Sequence, residues 1–130
     1  MDPGRLRAIA VFADLDDEQL EHIAALAAEV SVPKGKELVR EGDYSYDVLA
    51  IEEGTARVER HGRQIADLGP GDVVGEMGVL KREQRNATVV ATSPMRLVTL
   101  TSWDIRRLQK TAPNAVEHLR EVVAQRSDQA

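Results

Sequence analysis

"DVLAIEEGTARVERHGRQIADLGPGDVVGE", residues 47–76, decides the fold. Short apolar runs alternate here with Gly54, Gly62 and the Gly69-Pro70-Gly71 turn. Within "TARVERHG", Ala56 and Val58 fall on one face and Arg57 and Glu59 on the other, the period of a half-buried strand. The glycines have a steric cause, since tight turns often demand a positive φ.

The same texture extends outward. "VSVP" (30–33) and "KELVR" (36–40) precede it, and "ATVVA" (87–91) and "MRLVTL" (95–100) follow. Pro33, Gly35, Gly42 and Pro94 mark the breaks. About eight short strands at this spacing predict an antiparallel sandwich or jelly roll. The fold class expected is mainly β with flanking helices.

Helices close both ends. "DLDDEQLEHIAALAAEV" (14–30) sets Leu20, Ile23, Ala24 and Ala27 on one helical face. Asp16 reads as the N-cap, with Gln19 completing a capping box and Leu15 and Leu20 a hydrophobic staple. The acids Asp14, Asp16, Asp17 and Glu18 suit the positive end of that helix better than a metal. Thr101 and Asp104 form a second box, with Leu100 and Ile105 as its staple. Pro113 fits the first turn of a separate last helix, whose stripe is Val116, Leu119, Val122 and Val123. The prediction is one domain over 1–130, with the β-roll at about 30–101 and two C-terminal helices at about 102–126.

Composition narrows the function. A 130-residue chain with 42% hydrophobic and 30% charged residues is of ordinary globular type. A net charge of −5 argues against a general nucleic-acid binder, and no stretch approaches a membrane span. The absence of cysteine excludes disulfides and fits a reducing cytoplasm, the location expected. His22, His61 and His118 share no ligand spacing, so no metal site is expected. Ser45, Ser93 and Ser102 read as turn or cap residues, so no nucleophile is expected. The chain is therefore expected not to be an enzyme and to need no cofactor.

One long polar loop remains, in "GEMGVLKREQRNATV", residues 75–89. Long ordered loops in compact domains tend to be functional. "EMGVL" can form a short helical turn whose free N–H groups suit an anion, and Gly78 would let a ligand come close. Arg85 could meet the same anion with two parallel donors. Glu76 could accept from sugar hydroxyls. The bland reading is a solvated loop, and Lys81, Arg82 and Glu83 fit it.

This stretch resembles the phosphate-binding cassette of cyclic nucleotide-binding domains, found in kinase regulatory subunits, nucleotide-gated channels and the catabolite activator protein. "FADLDDEQLEHIA", "VREGDYSYDVLAIEEGTARV" and "LGPGDVVGE" extend the resemblance over about residues 12–125. It implies an eight-stranded β-roll with an N-terminal helix, a short cassette helix and two C-terminal helices. It implies that Arg85 binds the cyclic phosphate, with Asn86, Ala87 and Gly78 beside it. Glu76 would bind the ribose hydroxyl, with Gly75 and Met77 adjacent.

In that family an aromatic often precedes the Gly-Glu pair, where this chain has Val74, and a proline precedes the arginine, where it has Gln84. Asn86 stands where alanine accompanies cAMP and threonine or serine can accompany cGMP. cAMP is the ligand favoured, with cGMP second. A residue of the last helix often covers the purine; Leu119, Val122, Val123 and Arg120 are the candidates, with Val90 for the wall. Val79 and Leu80 would pass a ligand-induced shift to the C-terminal helices. The chain stops at "SDQA", too soon for a helix-turn-helix, so the output expected is a partner protein or a second copy. The alternative is a β-roll interaction module that binds no nucleotide.

Overall fold

The computed structural model describes residues 1–44, 47–75 and 85–126. The alternation at Ala56 and Val58 becomes strand β4, Ala56–Arg60. Before it come β1 (Ala28–Val32), β2 (Glu37–Val39) and β3 (Asp47–Glu53), and after it β5 (Arg63–Leu68), β6 (Val73–Val74), β7 (Thr88–Ala91) and β8 (Met95–Thr101). They form two antiparallel four-stranded sheets, ordered β1-β8-β3-β6 and β2-β7-β4-β5. The predicted β-roll is therefore the observed fold, and all eight strands coincide with runs read from the sequence.

Two cores follow from strand periodicity. Leu49 and Ile51 of β3 and Leu97 of β8 point into the roll, where they meet Ala56, Val58, Val74, Val89 and Ala91. Val48, Ala50, Val98 and Leu100 point the other way and join the helices. Both faces of these strands are buried, which is why "DVLAI" reads as a continuous apolar run.

The helical layer holds α1 (Pro3–Arg7), a 3₁₀ turn (Ala10–Phe12), α2 (Asp17–Leu26), α3 (Ser102–Thr111) and α4 (Pro113–Arg126). Both predicted capping boxes are present: Asp16 with Gln19 at α2, and Thr101 with Asp104 at α3. The α1 helix and the 3₁₀ turn were not read from the sequence. They bring Leu6, Ile9 and Phe12 into the same core as Leu119 and Val123 of α4, against which the 3₁₀ turn packs. Among the described residues no helix is long and apolar enough to cross a membrane.

Candidate anion-binding site

Arg85 is the one charged residue that is buried among the described residues, at 6% exposure. Burying a guanidinium is costly unless its donors are used, so its surroundings are specific. The main chain fixes it first. Its N–H donates to the Asp43 carbonyl, and its own carbonyl accepts from Gly42 N–H at 2.9 Å. The loop after β2 thereby clasps the residue that leads into β7. Next, Nη2 donates to the main-chain carbonyl of Asp47, at the start of β3, at 2.8 Å.

Gly75 closes the other side. Its φ is +96°, a region L side chains rarely adopt. A β-carbon there would stand 2.7 Å from Arg85 Nη1 and 2.7 Å from the Asp47 carbonyl oxygen. The glycine thus serves the backbone turn and leaves space for the guanidinium. Sequence reasoning had placed it in the site for its backbone alone.

The guanidinium reaches an open cleft of about 180 Å³, lined by Leu38, Val39, Arg40, Asp43, Tyr44, Asp47, Leu49 and Arg85. Its lining combines three aliphatic side chains with two arginines, two aspartates and a phenol. Burial pushes the Asp47 carboxyl above its ordinary range; the Arg85 charge opposes that shift and Asp104 adds to it. Asp47 therefore feels both the Arg85 charge and the capping acid of α3. Sequence analysis missed it because an acid at the head of an apolar strand looks like a strand boundary.

The other expected residues separate into groups. Ala87 is buried within the roll core, while Asn86 is exposed and its carbonyl accepts from Arg60 Nε at 2.9 Å. Val90 is buried, but it alternates with Val89 and Ala91, which fill the roll core, and it does not line the Arg85 cleft. Leu119 and Val123 are buried in the helical core, and Val122 packs against it. Arg120 is exposed. None of these four is among the residues lining the cleft. Glu76, Met77, Gly78, Val79 and Leu80, with the expected cassette helix, lie outside the described residues. Among the described residues no cluster of potential metal ligands occurs.

Known proteins share the sequence pattern and the fold of this chain. A family model described as "Cyclic nucleotide-binding domain" matches residues 29–112. A cAMP-dependent protein kinase regulatory subunit of Schizosaccharomyces pombe is 30% identical over 116 residues, covering 88% of this chain and 27% of that protein. A cyclic nucleotide-gated potassium channel of Rhizobium etli is 28% identical over 119 residues, covering 92% of this chain and 33% of the channel. The chain thus spans about a third or less of these relatives. Among solved structures, the N-terminal domain of a transcriptional regulator from Streptomyces coelicolor aligns with a TM-score of 0.77 at 31% identity, covering 94% of this chain and 91% of that one.

Proposed function

The chain belongs to the cyclic nucleotide-binding domain family, and on that premise we propose that it is a non-catalytic cytoplasmic sensor of cAMP, with cGMP as the weaker ligand. The observation that carries this reading is the buried Arg85, held against Gly75 and the Asp47 carbonyl at an open cleft. A guanidinium so held is oriented before any anion arrives, so little entropy is lost on binding. Glu76 would accept from the ribose hydroxyl, and main-chain N–H groups near Gly78 would share the phosphate charge.

The route to the helices runs through β3. Arg85 Nη2 bonds the carbonyl of Asp47, and Asp47 pairs with Thr101 in the β3–β8 ladder. Thr101 is the N-cap of α3. A phosphate bound at the guanidinium competes for its Nη2 donor, which loosens the bond to the Asp47 carbonyl and shifts the start of α3. Differential contacts of about 1–3 kcal/mol suffice for such a switch. Movement of α3 and α4 would then expose or hide a surface for a partner.

Calorimetric titration with cAMP, cGMP and 5′-AMP side by side tests the reading. Heat for the cyclic nucleotides, larger affinity for cAMP, and little response to 5′-AMP are expected. No binding of either cyclic nucleotide at millimolar concentration would leave the nucleotide-free interaction module as the better account.

A further inference from the structure

The outward face of α3 carries Trp103, Arg106, Arg107 and Lys110, at helical spacings i, i+3, i+4 and i+7. All four are exposed, Trp103 at 70%, and Arg106 lies over the indole at 5.2 Å. Arg5, Arg7, Arg40, Arg57 and Arg96 each meet a carboxylate, whereas these three cations form no ion pair among the described residues. A stripe of one indole and three unneutralised cations is unexpected on a chain of net charge −5.

The outward face of α2 is its complement. Glu18, Glu21 and Ala25 are exposed at the spacing i, i+3, i+7. Both stripes run from i to i+7, about 10 Å of helix. Laid antiparallel, they match at three positions: Lys110 falls opposite Glu18, Arg107 opposite Glu21, and Trp103 opposite the small Ala25, while Arg106 stays over the indole. The parallel alignment sets the indole on Glu18 instead. The two helices touch within one chain, so both stripes belong to the same helical layer. A two-fold axis between them brings the α3 face of each copy onto the α2 face of the other, which is a closed, isologous arrangement.

We infer that these two helix faces form a reciprocal interface with a second copy of the chain. The complement in charge and spacing favours a second copy over an extended polyanion, which the overall negative charge repels. The inference does not depend on nucleotide binding and is tested without nucleotide.

Sedimentation velocity on the whole chain reads it directly. A concentration-dependent dimer is expected at about 0.1 M salt and its loss at about 1 M, where the screening length falls from about 10 Å to about 3 Å. The double variants Arg107→Glu/Lys110→Glu and Glu18→Lys/Glu21→Lys should each weaken the dimer on the order of tenfold or more. Mixing the two restores opposite charge at both contacts, so a heterodimer should form; unchanged circular dichroism of each variant shows that it folds. A wild-type chain that stays monomeric at its highest soluble concentration overturns the inference. So does a dimer that neither double variant weakens. Monomers that instead bind phosphatidylserine vesicles through Arg106 and Arg107 overturn it in favour of a lipid surface.

Discussion

Gly75 and Arg85 share one space: a β-carbon on residue 75 would lie 2.7 Å from Arg85 Nη1. The same β-carbon would press equally on the main chain of Asp47, which cannot swing aside as a side chain can. The turn and the buried guanidinium are therefore one unit, and replacing the glycine disturbs both.

Gly75→Ala is accordingly expected to cost about 1–3 kcal/mol of stability through the left-handed φ alone. It should also weaken cAMP binding, because the guanidinium must give way. Thermal unfolding and titration of the same preparation measure the two effects. A variant as stable as the wild type would contradict the packing described.

Asp47→Asn removes a carboxylate but leaves the main-chain carbonyl that accepts from Arg85. Burial raises the Asp47 pKa above its unfolded value of 3.8. The folded state therefore binds the proton more tightly, and stability falls as pH rises through the window that begins near 3.8. The asparagine variant should melt higher than wild type at pH 7, and the difference should vanish below that window. Removing a negative group beside Arg85 should also tighten phosphate binding, by about two- to fivefold.

Leu119→Ala separates packing from ligand contact. Leu119 is 1% exposed within the helical core. Its truncation should cost about 2–5 kcal/mol in the absence of nucleotide. Denaturant unfolding without ligand checks this. An unchanged midpoint, with lost affinity, would make Leu119 a cover for the purine instead.

Thr101→Ala probes the route to α3. Loss of the N-cap should cost about 1 kcal/mol, with the direct contacts of Arg85 left in place. Affinity for cAMP should then change less than the response of Trp103 fluorescence, since Trp103 stands on the helix that Thr101 holds. Equal changes in both would place the coupling elsewhere.

Much of the fold was legible because both faces of the central strands are buried and their turns need glycine or proline. The capping boxes at Asp16 and Thr101 were legible because capping is local. The α1 helix was not, since five residues hold too little periodicity to register. The loop and the resemblance name both Arg85 and Gly75, which the fold sets side by side, whereas Asp47 and the clasp by Gly42 and Asp43 depend on tertiary approach. The stripe of Leu119, Val122 and Val123 was correctly seen as apolar. Periodicity names a buried face but not its partner, and that partner is the helical core.

The most direct measurement is paired calorimetric titration of cAMP into the wild-type chain and into Arg85→Leu. Charged hydrogen bonds contribute roughly 1.5–3 kcal/mol each, so the variant should bind about tenfold to hundredfold more weakly per bond lost while remaining folded. A folded variant that binds cAMP with wild-type affinity would contradict the assignment of Arg85 as the phosphate-binding group.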